Sequence, residues 1–261
     1  MRSSLFLVAL ILYCSTASAA IVQFQQGSFP DGTYQSIDSL IRNDQATSNY
    51  GARTTLIVGR TATATIRSVF GFDLSAIPTN STITNVTFSL VGSQEDTGSF
   101  DGAQTFELRS LNSLITEGVG TTDGGPDPDV TWNNSTTSTP WTTAGGDLGS
   151  LLSTTSIDTG SFAGGTPVTF GSTPNLLSTI QAIADADGTF YFAVKGDSTV
   201  ESSTTRRVFF VHADEATTAS NRPLLTIEYT AVPEPSSVAA FALLAVIGIR
   251  GLRRFNHHKS C

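Results

Sequence analysis

The chain has 261 residues and a formal net charge of −8 at neutral pH. Between residues 21 and 232, nine Lys or Arg residues stand against twenty-one Asp or Glu residues, a net charge of −12. Such an acidic surface repels phosphate, which argues against a partner that is nucleic acid or anionic lipid. The two cysteines, Cys14 and Cys261, lie near the ends, so the body of the chain has no disulfide and must be held together by its core.

The first residues have the pattern of a secretory signal peptide. Arg2 supplies the positive start, residues 5–13 form an apolar run, and Ala17-Ser18-Ala19 is a small-residue cleavage site. The apolar run is too short to span a bilayer comfortably, which disfavours the alternative of an uncleaved anchor. We therefore predict a signal peptide at 1–19 and a mature chain that begins at Ala20.

Residues 20–231 carry the pattern of a β domain. Short runs of β-branched and aromatic residues alternate with turn residues. Seven strands are predicted from these runs, at residues 54–60, 68–72, 83–91, 104–111, 189–194, 207–211 and 224–229. One helix is predicted at 174–186, with Pro174 in its first turn, and long loops over the sandwich are predicted at 112–165. The fold class expected is all-β, an antiparallel β-sandwich of jelly-roll type with long loops and one short helix.

Several short strings occur along this domain in a particular order. They are Asp38-Ser39-Leu40-Ile41, Ser48-Asn49-Tyr50-Gly51, Leu56-Ile57-Val58-Gly59, Phe70-Gly71-Phe72-Asp73-Leu74-Ser75, Ile77-Pro78, Ile83-Thr84-Asn85-Val86, Thr116-Glu117-Gly118, Val130-Thr131-Trp132-Asn133-Asn134 and Asn221-Arg222-Pro223-Leu224-Leu225-Thr226-Ile227. In this order they resemble the DNRLRE domain, the disaggregatase-related group of carbohydrate-binding modules, over residues 34–229. The resemblance implies a jelly-roll sandwich that is not itself an enzyme.

The last thirty residues, 232–261, form a separate segment. It contains a Pro-Glu-Pro motif, an apolar stretch that places a transmembrane helix at about 236–252, and a basic cluster that would stay cytoplasmic. The residues of the motif and the cluster are Pro233, Glu234, Pro235, Arg250, Arg253 and Arg254. This order resembles the PEP-CTERM sorting tail, which implies recognition by an exosortase, transient membrane anchoring and cleavage near the motif. The alternative is an ordinary C-terminal membrane anchor, and both interpretations make the protein an exported one.

The domain offers few groups for catalysis. His212 and Lys195 are its one histidine and one lysine, and no spacing among its carboxylates selects the pair that glycoside hydrolysis needs. A catalytic residue is therefore not assigned, and His212 is interpreted as a surface residue at the end of a strand.

A calcium site is the best candidate for a cofactor. Asp123, Asp127 and Asp129 lie in a loop constrained by Gly and Pro, and hard oxygen ligands on such a loop suit Ca²⁺. The alternative is a solvated acidic turn, because acidic residues and glycines form turns without any metal.

The two tryptophans are predicted to differ. Trp132 alternates with Val130, as in a strand, and is expected to face the core. Trp141 follows Pro140 in a turn-like run and is expected in a loop, where its indole could stack on a sugar ring; the alternative is a loop residue tucked over the edge of the core.

The leading hypothesis is a non-catalytic cell-surface or extracellular-matrix protein that contacts extracellular polysaccharide through its sandwich. The alternatives are a structural surface or biofilm protein without a ligand and, less favoured, a polysaccharide-degrading enzyme. All three are exported.

Overall fold

A computed structural model of the protein describes residues 18–94, 98–100, 102–121 and 129–231. Residues Ala19–Thr230 form one compact unit. The predicted signal peptide, apart from Ser18 and Ala19, and the predicted sorting tail lie outside the described residues. Within those residues, no helix has the length and apolarity needed to cross a membrane.

The described residues form eleven strands and two α-helices. The strands are β1 (Ala19–Phe24), β2 (Ile37–Arg42), β3 (Thr55–Arg60), β4 (Thr65–Asp73), β5 (Thr82–Val91), β6 (Ala103–Leu111), β7 (Leu148–Asp158), β8 (Pro167–Phe170), β9 (Thr189–Gly196), β10 (Arg207–His212) and β11 (Leu224–Thr230). The helices are α1 (Pro174–Asp185) and α2 (Ser198–Glu201), and short 3-10 turns occur at Asn43–Gln45 and Ala219–Asn221.

The strands build two antiparallel sheets. One has four strands in the order β1-β11-β5-β8, and the other has seven, in the order β10-β3-β4-β9-β6-β7 with β2 paired to β4. These sheets agree with the predicted β-sandwich. All seven predicted strands are present, and β1, β2, β7 and β8 are additional. The prediction that 112–165 is loop throughout is wrong, because β7 occupies Leu148–Asp158.

The core between the sheets is aromatic. Phe88 of β5 meets Phe192 of β9 edge-on, with 4.8 Å between ring centroids. Phe70 of β4 packs against both of these rings, at 5.0 Å and 5.2 Å. Because β5 belongs to the small sheet and β4 and β9 to the large one, these contacts join the two layers.

Strand β5 shows how the sequence pattern produces this packing. Val86, Phe88 and Leu90 alternate with outward-facing residues and are fully buried. The apolar residues Ile83 and Val86 are three positions apart instead of two or four, because the register with β11 shifts between Glu228 and Tyr229. Such a bulge brings Ile83 to the core side as well, where it is 7% exposed.

The predicted helix is confirmed as α1. The hydroxyl of Thr173, the residue before the helix, accepts a hydrogen bond of 3.1 Å from the main-chain N–H of Leu176, and Pro174 occupies the first turn. Leu176 and Ile180 are fully buried against the sandwich.

A third layer covers the outer face of the seven-stranded sheet. Along its strands, Leu40, Phe70 and Phe192 face the core between the sheets, and their chain neighbours face the other way. These neighbours form a second apolar cluster with residues from the long connection between β6 and β7; the cluster contains Ile41, Val69, Leu111, Ile115, Val130, Trp141 and Ala193. The connection therefore lies over the sandwich, as predicted, and packs against the sheet.

Candidate functional site

Trp141 lies in a loop, as predicted, and the alternative of a loop residue packed over the core is the correct one, whereas Trp132 does not lie in a strand. Trp141 is 5% exposed, and its indole N–H donates a hydrogen bond of 2.9 Å to the main-chain oxygen of Thr131. The expectation that Trp141 offers an accessible face for a sugar is wrong, because the layer over the outer sheet buries its ring. Trp132 lies outside any strand and is partly exposed, and the guanidinium of Arg67 lies 5.1 Å from its ring centre.

Most of the other predicted site residues are outside the described part of the chain. Asp123 and Asp127 of the calcium loop lie there, and so do the six residues of the sorting signal. Asp129 is described, and its Oδ1 accepts hydrogen bonds from the hydroxyls of Thr116 (2.8 Å) and Thr137 (2.9 Å). The calcium loop therefore stays a prediction.

The one lysine of the domain lies in a buried network of ion pairs. Lys195 is 6% exposed and lies 3.4 Å from a carboxylate oxygen of Glu107 and 3.5 Å from one of Glu201. Arg67 forms a two-pronged ion pair with Glu201 at 2.8 and 2.9 Å. This network of ion pairs holds α2 against the large sheet, so the role of Lys195 is structural.

Three carboxylates that the sequence did not bring together converge at one end of the large sheet. They are Asp38 in β2, Glu117 in the connection after β6, and Asp214 just after β10. One carboxylate oxygen from each lies within 4.8 Å of the other two. We call these residues the carboxylate triad. Among the described residues, no other group of three potential metal ligands comes this close together.

The triad is buried and only partly satisfied. The main-chain N–H of Asp214 donates to Oδ2 of Asp38 at 2.6 Å, and the N–H of Asp38 donates to Oε1 of Glu117 at 3.3 Å. The hydroxyl of Ser36 donates to Oδ2 of Asp214 at 2.9 Å. Asp38 and Asp214 are each 1% exposed, and within the described structure neither Oδ1 atom has a hydrogen-bond partner. An unsatisfied buried oxygen of this kind is costly.

Burial and mutual repulsion make these carboxyl groups weak acids. Burial and, after it, the charge of Asp214 raise the pKa of Glu117 to about 9. Burial likewise raises the pKa of Asp214 to about 7, against the hydrogen bond from Ser36, which lowers it. Burial, followed by the charges of Asp214 and Glu117, holds the pKa of Asp38 well above its usual range.

The side chain of Asn49 positions the segment that carries Glu117. The side-chain amide of Asn49 donates to the main-chain oxygens of Glu117 (2.6 Å) and Val130 (2.9 Å), and its Oδ1 accepts from the N–H groups of Gly51 and Gly120, both at 3.0 Å. Gly51 packs directly on this segment, since a Cβ there would lie 2.4 Å from the main-chain oxygen of Glu117. The Asn-Tyr-Gly and Glu-Gly strings of the sequence are thus two sides of one contact.

A surface groove runs beside the triad. It consists of a cleft of about 330 Å³ and a second of about 190 Å³, which adjoin because Thr54 and Thr55 line both. The larger cleft is also lined by Ala52, Arg53, Gln94, Thr121 and Phe210. The smaller one is also lined by Ser93, His212, Ala216, Thr217, Thr218 and Asn221. We call the two clefts together the β3–β10 groove.

The groove combines one aromatic ring with several hydrogen-bonding side chains. The ring of Phe210 is partly exposed, and the guanidinium of Arg206 lies 5.7 Å from its centre. In the smaller cleft, Nε2 of His212 lies 3.3 Å from the side-chain nitrogen of Asn221. Burial lowers the pKa of His212, which favours its neutral form. An aromatic surface bordered by amide, guanidinium and hydroxyl groups is chemically suited to a sugar.

Main-chain hydrogen bonds connect the groove to the triad. The N–H of Ala213, next to Asp214, donates to the oxygen of Thr54 at 3.1 Å. The N–H of Ala52 donates to the oxygen of Gly120, in the segment that follows Glu117, at 3.0 Å. One wall of the groove, at residues 52–55, is therefore held by the segments that carry two of the three carboxylates.

The comparison with known families points to carbohydrate binding. Residues 32–158 match the model of carbohydrate-binding module family 96. The match includes Asp38, Glu117 and the groove residues from Ala52 to Thr121, and it ends before β10. No curated protein matches the chain. The match and the antiparallel sandwich together support a carbohydrate-binding module.

Proposed function

We propose that the protein is a non-catalytic, exported cell-surface or extracellular-matrix protein whose sandwich, of jelly-roll and DNRLRE type, binds an extracellular polysaccharide. The observation that carries the proposal is the match of residues 32–158 to a carbohydrate-binding module family. The match covers the strands that build one wall of the β3–β10 groove.

The groove supports the proposal through its shape and its chemistry. Two adjoining clefts suit a ligand that is a chain of similar units, since each cleft can take one part of the chain. Phe210 offers an apolar face for a sugar ring, and Arg53 and Gln94 offer hydrogen-bond donors for its hydroxyl groups.

Retention on a panel of polysaccharides tests the proposal, with affinity electrophoresis as the measurement. Phe210→Leu keeps an apolar side chain and removes the ring, so it should weaken retention about tenfold, the scale of one aromatic contact. Gln35→Ala is the matched control, because Gln35 lines a different cleft of about 390 Å³ beside Tyr34 and Asp73. It should leave retention unchanged.

Other outcomes would favour the alternative functions. A protein that folds and is retained by no polysaccharide would support the ligand-free structural role. Release of new reducing ends or of unsaturated products from any glycan would support a degrading enzyme, and would overturn the non-catalytic part of the proposal.

Export and sorting belong to the same proposal. The signal peptide at 1–19 directs export, and the tail at 232–261 anchors the protein transiently in the membrane through the helix at about 236–252 until an exosortase cleaves it. Pro233, Glu234 and Pro235 form the motif near which cleavage occurs. Intact-mass measurement on protein shed by the native host tests this. We expect no residue beyond about Pro235, and a mass that includes Arg253 and Arg254 would contradict it.

A further inference from the structure

We propose that Asp38, Glu117 and Asp214 bind a single Ca²⁺ ion. This site is distinct from the β3–β10 groove and from the predicted calcium loop at Asp123–Asp129. The proposal goes beyond carbohydrate binding and does not depend on it.

The first argument is geometric. Two oxygens bound to one Ca²⁺ at about 2.3–2.6 Å can be at most about 5 Å apart. The three carboxylate oxygens of the triad all lie within 4.8 Å of one another. These separations allow one ion to contact all three oxygens after small movements of the side chains.

The second argument comes from the unpartnered oxygens. Oδ1 of Asp38 and Oδ1 of Asp214 are buried and lack a hydrogen-bond partner among the described residues, although both residues are 1% exposed. Their other carboxylate oxygens are already used, by main-chain N–H and by Ser36. Without metal, a protonated Glu117 can donate to Asp214. A bound cation would replace that proton and would satisfy both Oδ1 atoms.

The third argument is charge. Three carboxylates are concentrated at this point, and the negative charge of Glu215 also acts on them. The nearby cation is Arg222, which acts on Asp214, but its guanidinium is hydrogen-bonded to the main-chain oxygens of Ala216 (2.8 Å) and Gln26 (2.9 Å). A divalent ion supplies the positive charge that the cluster lacks.

The ligand types select the metal. All three ligands are carboxylates, and the described residues contain no cysteine, so a soft-metal site does not fit. Partial exposure of Glu117 leaves one side open to water, which can complete the six to eight oxygen ligands that Ca²⁺ takes. Ca²⁺ is proposed in preference to Mg²⁺ because it accepts irregular arrangements of oxygen ligands, whereas Mg²⁺ requires shorter and more regular bonds.

Such an ion would join three segments that are far apart in sequence: β2, the connection after β6, and the segment after β10. Two of these segments hold the wall of the β3–β10 groove at residues 52–55. We therefore expect Ca²⁺ to stabilise the fold and to keep this wall in place.

Calorimetric titration of the full chain, freed of metal with EDTA and dialysed, tests the site. We expect the wild type to bind one equivalent of Ca²⁺. Glu117→Gln should bind Ca²⁺ with an affinity at least tenfold lower. At a Ca²⁺ concentration a hundred times the Kd, the melting temperature should rise by about 5–10 °C, because the ion binds the folded state. Glu117→Gln preserves the size of the side chain and the oxygen that accepts from Asp38, so it should fold.

Two controls separate this site from other acidic residues. Glu215→Gln removes a neighbouring charge without removing a triad oxygen, and Asp129→Asn alters the predicted loop; both should still bind one equivalent with the wild-type rise in melting temperature. Loss of the calcium effect in Asp129→Asn but not in Glu117→Gln would overturn the proposal. It would also be overturned if the wild type bound no Ca²⁺ or only Mg²⁺.

A measurement in EDTA keeps the test decisive if the variant differs in stability. If the triad is a metal site, Glu117→Gln should melt in EDTA at or above the temperature of the metal-free wild type, because it removes one of three repelling carboxylates. A clearly lower melting temperature in EDTA, with no response to Ca²⁺ in either protein, would make the triad a purely structural feature and overturn the proposal.

Discussion

The ring of Phe88 in the four-stranded sheet meets the ring of Phe192 in the seven-stranded sheet edge-on, with their centroids 4.8 Å apart. Both residues are fully buried, and the same two rings also contact Phe70. This three-ring contact is the centre of the sandwich, since it is where the two sheets meet through their largest side chains.

Removing one of these rings should be costly. Phe192→Ala is expected to lower the free energy of unfolding by about 3–5 kcal/mol, because it removes buried apolar surface and leaves a cavity. Urea denaturation measures the change. Phe29→Ala is the control: Phe29 is 43% exposed, and its loss should cost less than about 1 kcal/mol. Equal losses in the two variants would contradict the arrangement of the core.

The tryptophans allow a sharper contrast. Trp141→Ala is expected to cost about 3–5 kcal/mol, because the indole is buried in the outer layer and its N–H is bonded to Thr131. Trp132→Ala should cost less, about 1–2 kcal/mol, since its ring is partly exposed and lies at the margin of the outer apolar cluster, beside Arg67. Denaturant unfolding of both variants decides the order, and a larger loss for Trp132→Ala would place Trp132 in the core instead.

The close approach of Gly51 to Glu117 allows a prediction about the effect of adding one methyl group at Gly51. In Gly51→Ala, the added Cβ would lie 2.4 Å from the main-chain oxygen of Glu117, so the segment must move. We expect a loss of about 1–3 kcal/mol, the usual range for overpacking. Thermal melts should detect it. Gly32→Ala is the control, because a Cβ at Gly32 meets nothing within 4 Å, and comparable losses at both glycines would refute the contact.

The carboxylate triad predicts an unusual pH dependence for the metal-free protein. The folded-state pKa values of Glu117, about 9, and Asp214, about 7, lie above the values of about 4 expected in the unfolded chain. Between these limits the folded state binds more protons than the unfolded state, so stability is full below about pH 4 and decreases as the pH rises through 7 and 9. The slope is at most about 1.4 kcal/mol per pH unit for each proton.

Denaturant unfolding in EDTA at pH 5, 7 and 9 measures this slope. The charges of Glu215 and Arg222 also act on the triad, but neither is replaced in the test variant. Glu117→Gln should make the dependence shallower, because one of the groups that takes up a proton is gone. Stability that is constant or increases from pH 5 to pH 9 in the wild type would contradict the shifted pKa values.

Local patterns in the sequence predicted helix α1 and strands such as β5, where one face is buried and the other is exposed. They also predicted β4 and β9, which are covered on both faces, because these strands are rich in aromatic and β-branched residues. They missed β2. Four consecutive residues of β2, from Asp38 to Ile41, are buried, since the core lies on one side and the outer layer on the other, so no alternation marks the strand. The opposite problem hid β7, whose Ser and Thr residues gave too few apolar positions.

The candidate site was beyond prediction for a different reason. Asp38 and Glu117 both occur in strings that the sequence pointed out, and Asp214 follows directly after a predicted strand. Their convergence depends on pairing across 79 and 176 positions of the chain, which short-range periodicity does not contain. The one local signal was an Asp within the apolar run Ile37–Ile41, because a carboxylate in such a place needs a partner.

Strand β11 ends at Thr230 and is hydrogen-bonded on one side to β1 and on the other to β5. A mechanical pull on the chain beyond Thr230 therefore enters the domain through an interior strand. To extract that strand, the pull must break two ladders of main-chain hydrogen bonds together, whereas a strand at the edge of the sheet would leave by breaking one. In the proposed function, where the domain binds a polysaccharide while its C-terminal tail is anchored, this arrangement would resist shear at the point where the load arrives.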